Sequence, residues 1–225
     1  LMLSGEMVIA AVFLAAAILS TALMALPLFW FRKTAQRAAM VPIGYFLFVG
    51  AGFMLIELYF IKRLVLLFGD PVVSFTAVLT GLLVFSGMGG FLSQRLTGRS
   101  LIGALIILIL VLIMTGPVTD WLSETALTMP RLQRYTLALD WLAVPGILAG
   151  IPFPLAMRHY LRTPVDRAYA WTANGCSSVL ASIAAAEMAI SQGITAVMTA
   201  ATVTYGVALL CAAIMMRTAT KLETT

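Results

Sequence analysis

Apolar residues recur in seven runs along the chain, separated by short polar segments, and each run is long enough to cross a bilayer as a helix. A helix rises about 1.5 Å per residue, so roughly 20 apolar residues span a hydrocarbon core of ~30 Å. The runs cover residues 7–31, 41–61, 72–92, 101–118, 137–157, 168–190 and 194–216. The pattern predicts an all-α fold: a polytopic membrane helix bundle of about seven transmembrane helices, forming a single domain over residues 1–225.

The charged residues between the runs predict an orientation. Lys and Arg in short loops stay on the cytoplasmic side. With the N-terminus outside, the inner segments hold Arg32, Lys33, Arg37, Arg95, Arg99, Arg158, Arg162, Arg167, Arg217 and Lys221, whereas only Lys62, Arg63, Arg131 and Arg134 lie outside. Removing any one span would move every later loop to the other side and spoil this bias. Seven spans and a cytoplasmic C-terminus therefore support each other.

Composition agrees. A soluble domain carries about 25% charged and 45–50% apolar residues, but here 10% are charged and 62% hydrophobic, with mean hydropathy +1.04. The net charge of +5 is spread over loop clusters that membrane insertion already explains, so nucleic acid is not an expected partner. Cys176 and Cys211 both fall within spans and read as packing thiols. The opening LMLSGEMVIA has neither an initiator Met nor a basic leader. The expectation is a C-terminal part of a larger protein.

Several local features refine the spans. Helix two is expected to run past its apolar core through Lys62 and Arg63 until Gly69-Asp70-Pro71 stops it. The segment 119–134 reads as a short amphipathic helix at the interface, with Trp121 at headgroup level. Helix five carries Pro145, Pro152 and Pro154 and is expected to break near its cytoplasmic end. Trp30, Tyr160, Tyr169 and Trp171 form an aromatic belt at the inner interface. Small residues four apart mark helix contacts: Gly146 and Gly150, Ser86 and Gly90, Ser178 and Ser182, Ala181 and Ala185.

Few residues could carry chemistry. Glu57, well inside helix two, is the sharpest, because an unpaired carboxylate at that depth costs several kcal/mol. Asn174 and Asp140 are further polar candidates within spans, and Lys62 and Arg63 are charge partners within reach of Glu57. Two readings of Glu57 fit: a proton or substrate site, or a clasp to a neighbouring helix. SGMGG at 86–90 lies inside an apolar helix and lacks the Lys-Ser/Thr of a phosphate loop. The single histidine, His159, and the 13 methionines assemble no catalytic set and no metal site, so neither catalytic residues nor a metal or other cofactor is expected.

Four segments carry a resemblance: GAGFMLIEL (50–58) followed by FGDP (68–71), LLVFSGMGG (82–90), GIPFPLAMR (150–158) and WTANGCSSVLAS (171–182). In this order, across residues 41–210, the chain resembles the membrane-integral spermidine synthase-like proteins of bacteria, whose helices are fused to an aminopropyltransferase-type domain. Asp70 departs from the His expected in many relatives. The resemblance implies a multi-pass protein of the bacterial inner (plasma) membrane, corresponding to the membrane part of that family. Any aminopropyl transfer would then belong to a soluble domain absent from these residues.

Two functions of different kinds follow. One is an anchor or scaffold in the lipid bilayer that positions a soluble domain or other membrane subunits. The other is a transporter or permease for a small organic cation such as a polyamine, with Glu57 neutralising the ammonium and broken helix five lining the path. An odd helix number without an evident inverted repeat weighs against the second.

Overall fold

The computed structural model describes residues 40–126, 129–161 and 163–223, together with residues 8, 11–19 and 22. Residues 8, 11–19 and 22 are helical, while the rest of the expected first span and the basic loop 32–39 lie outside the described residues. Seven further helices follow: α1 (Met40–Phe68), α2 (Pro71–Ser93), α3 (Ser100–Ala126), α4 (Arg131–Gly150), α5 (Pro152–Tyr160), α6 (Pro164–Ser191) and α7 (Ile194–Glu223). Among the described residues no strand occurs, and six stretches are long and apolar enough to cross a membrane, α4 and α5 together making one of them. The chain is a multi-pass membrane helix bundle.

Local chemistry sets the helix ends. α1 continues through Lys62 and Arg63 to Phe68, where Gly69 takes φ +73 and its N–H donates to the Val65 carbonyl at 2.9 Å. Asp70 then caps α2, its carboxylate accepting from the N–H groups of Val72 (2.8 Å) and Val73 (3.2 Å), and Pro71 occupies a position whose N–H would be orphaned anyway. α6 opens on a capping box between Thr163 and Asp166. Gly193, at φ +90, turns the chain into α7.

Two expectations change. Residues 119–126 do not form a separate interfacial helix: α3 runs unbroken through Pro117 to Ala126, with the Thr115 and Thr119 hydroxyls on the same stretch donating back to the carbonyls of Val111 (2.8 Å) and Thr115 (2.5 Å). The fifth crossing starts with α4 at Arg131 rather than near 137.

The break in the fifth crossing falls at Ile151, between α4 and Pro152. Pro152 and Pro154 remove two donors, and the ladder tightens so that the Ile151 N–H reaches Leu148 at 3.3 Å. The fully buried Tyr45 of α1 donates its hydroxyl to the Pro152 carbonyl at 3.0 Å. A neighbouring helix thus satisfies a backbone group at a proline-bearing break within the membrane.

α1 is the central helix, packed mainly between α6 and α7; α2 packs on α4, and α3 joins the groups by contacting both α7 and α4. α2 and α3 turn Leu83, Phe91, Ile107 and Leu110 outward, a surface that hydrocarbon accepts and water would not. Lipid gives helices no hydrophobic reason to associate, so close backbone approach takes over. A Cβ on Gly89 of α2 would collide with the Ile147 carbonyl of α4, and one on Gly150 with the backbone of Ser86. At Gly146 it would stand 2.9 Å from the Cβ of Phe85. Between α1 and α6, a Cβ on Gly50 would lie 2.5 Å from the Asn174 carbonyl and 2.7 Å from the Ser177 hydroxyl. Gly52 gives the Tyr205 ring its place on α1.

Overpacking of this kind costs about 1–3 kcal/mol. Gly89→Ala and Gly150→Ala should therefore lower the thermal unfolding midpoint in detergent, whereas Gly103→Ala, with open space around it, should leave it unchanged or slightly raised. Equal effects at all three positions would contradict the seam.

Candidate functional site

α2 and α6 both pack on α1, yet they scarcely touch each other. The gap between them is a cleft of about 630 Å³, floored by Val49 and Phe53 of α1 and walled by α2, the α4–α5 break and α6. That volume lies within the range of about 300–1,000 Å³ common for small-molecule sites. Each of the four segments singled out in the sequence contributes: Phe53, Ser86 and Gly90, Gly150 and Arg158, and Trp171 with Asn174 and Ser178.

The cleft is graded in polarity. Leu83, Phe153 and Met157 make its walls apolar, and Phe153 meets Trp171 edge-on with ring centroids 4.7 Å apart. Ser178 donates to the carbonyls of Asn174 (2.7 Å) and, across to α1, Gly50 (3.3 Å). The Asn174 carboxamide makes no side-chain hydrogen bond among the described residues. At the mouth stand Arg158 in the last turn of α5 and Arg167 in the first turn of α6, both exposed. Arg162 lies outside the described residues.

Arg158 is held rigidly. Its guanidinium donates to the carbonyls of Gln94 (3.1 Å), Ser93 (3.0 Å) and Leu96 (2.8 Å), satisfying groups that the C-terminus of α2 leaves without intrahelical partners. Arg134 does the same at the other end of the bundle, donating to Leu67 (3.1 Å), Ala126 (3.0 Å) and Met129 (3.3 Å), and so ties the ends of α1 and α3 to α4. The sequence counts both arginines only as loop charges. Nothing in it indicates that Arg158 reaches the end of α2, or Arg134 the end of α1, each more than sixty residues away.

The remaining candidates sit elsewhere. Glu57 does not line the cleft. It shares a face of α1 with Gly50, seven residues away, is half-buried, and has no hydrogen bond or ion pair among the described residues. Lys62 is exposed. Arg63 is not a partner of Glu57: it pairs with Asp120 of α3 and lies 5.8 Å over the Tyr59 ring. With Asp120 60% exposed, that pair contributes less than about 1 kcal/mol. Asp140 is exposed on α4, and Ser182 bonds only within α6, to Val179 at 2.8 Å. On α2 the tightest approach to α4 belongs to Gly89, while a Cβ added at Gly90 would meet Gly150 and Pro154 at an ordinary 3.9 Å. Among the described residues no three His, Cys, Asp or Glu side chains gather as a metal site.

A cysteine at Gly87, on the cleft wall with open space around it, should react with water-soluble methanethiosulfonates in detergent once Cys176 and Cys211 are replaced by Ser. A negatively charged reagent should react severalfold faster than a positively charged one, because two guanidiniums line the mouth. Glu57→Cys should show no such preference. The reverse charge order at position 87 would contradict the electrostatics described.

Comparison with family models, with curated proteins and with solved structures finds no match to this chain.

Proposed function

We propose that the chain is an integral membrane anchor and scaffold, the membrane domain of a spermidine synthase-like protein, with catalysis residing outside these residues. The observation that carries this reading is the pair of backbone-tight seams, α2 on α4 and α1 on α6, which fix the helices at close range on both sides of the cleft. Such a frame holds its ends in constant relation. Its exposed loop residues Arg95 and Arg99 present a cationic face suited to an acidic soluble domain.

A polyamine permease working through Glu57 fits the geometry less well. The bundle does have a cleft beside a broken helix, as many transporters do. However, its mouth is lined by two guanidiniums that repel ammonium groups, and Glu57 lies off its walls.

Reconstituted into liposomes, the purified chain should give no spermidine or putrescine uptake above protein-free vesicles, and Glu57→Gln should fold with an unfolding midpoint equal to or above that of the wild type. Removing a charge from the membrane interior sets that sign. Saturable uptake, lost in a folded Glu57→Gln variant, would replace the scaffold by the permease.

A further inference from the structure

The cleft combines three properties that together define a class of ligand. It opens sideways between α2 and α6, which scarcely touch, so it faces the surrounding bilayer. Its depth is walled by Phe53, Leu83 and Phe153. Its mouth carries Arg158 and Arg167, neither of which has a carboxylate partner among the described residues; Asp166, the acid nearest in sequence, is occupied by the Thr163 N–H and hydroxyl. Apolar depth with two uncompensated guanidiniums at one end matches an anionic amphiphile. It opposes a cation.

The level of the charges points the same way. Arg158 ends α5 and Arg167 begins α6, while Trp171, one turn further, is exposed. Helix ends and exposed tryptophans mark the depth of lipid headgroups. Asn174 lies seven residues inside Arg167, about 10 Å deeper along the helix, and its amide N–H groups are available to an ester carbonyl. Arg158 is pinned by three carbonyls, so its planar fork is already oriented, and its Nε–H remains to donate. Guanidinium pairs bind phosphate through short, charge-assisted bonds.

We propose that the cleft between α2 and α6 is a binding site for one anionic phospholipid, whose headgroup phosphate sits at Arg158 and Arg167 and whose acyl chain enters along Phe53, Leu83 and Phe153. The site does not depend on whether the domain is a scaffold or a permease.

Native mass spectrometry of the full chain, delipidated in neutral detergent and titrated with phosphatidylglycerol, phosphatidylcholine or inorganic phosphate, tests this. Phosphatidylglycerol should bind with a stoichiometry of one, about tenfold tighter than phosphatidylcholine, and phosphate should not displace it. Arg167→Gln should weaken phosphatidylglycerol by about tenfold, the scale of one charge-assisted bond. Arg167 is exposed and its guanidinium makes, among the described residues, only a 3.4 Å bond to Leu161, so the change spares the fold. Gly87→Phe, at a position where an added Cβ would meet no other helix within 4 Å, should fill the cleft and abolish the bound lipid while keeping the wild-type unfolding midpoint. Equal binding of the two lipids, displacement by phosphate alone, or unchanged phosphatidylglycerol affinity in either folded variant would overturn the assignment.

Discussion

Hydrocarbon offers the peptide group no hydrogen-bond partner and offers two apolar helices no reason to associate. Both deficits must be met from within the chain, and most of this structure is the result. Backbone groups are satisfied in helices, in threonine and serine bonds back along the helix, and, where a helix ends or breaks, by side chains of neighbours. Tyr45 serves the break at Pro152, Arg158 the end of α2, and Arg134 the ends of α1 and α3. Association is met by contact at glycine distance, at Gly50, Gly89 and Gly150.

The same economy creates the cleft. α2 is drawn onto α4 by one seam and α6 onto α1 by another, so that each leaves the other. The proline break lets α5 diverge from the line of α4, and its final turn brings Arg158 to the rim. Two tight contacts and one interruption therefore produce an intramembrane space whose polar end is basic. That space, rather than the deepest carboxylate, is the proposed ligand site.

The sequence made much of the frame legible. Spans at 41–61, 72–92 and 194–216 fall within α1, α2 and α7, and the stop at Gly69-Asp70-Pro71 and the break between Gly150 and Pro152 follow from glycine, aspartate and proline chemistry that acts locally. Segment 119–126 was not legible, because a proline that ends a helix in water is tolerated inside a membrane helix, and α3 runs on through Pro117. Nor could the sequence choose between Gly89 and Gly90, since α2 is apolar on both sides and only the partner helix decides which glycine is approached. Glu57 stood out for the cost of its burial, yet its relation to the cleft depends on which side of α1 each neighbour takes. The bonds of Arg158 to the end of α2 and of Arg134 to Leu67 are contacts across the fold, with no local signal.

The account rests on the helices crossing lipid, and α3 gives the cleanest check. Single cysteines at Arg99 and Gln133, on the loop side of α3 and at the start of α4, should be examined with a membrane-impermeant maleimide in intact cells, in a background without Cys176 and Cys211. Position 133 should label directly and position 99 only after permeabilisation. Labelling of both from the same face would contradict the crossing, and the bundle with it.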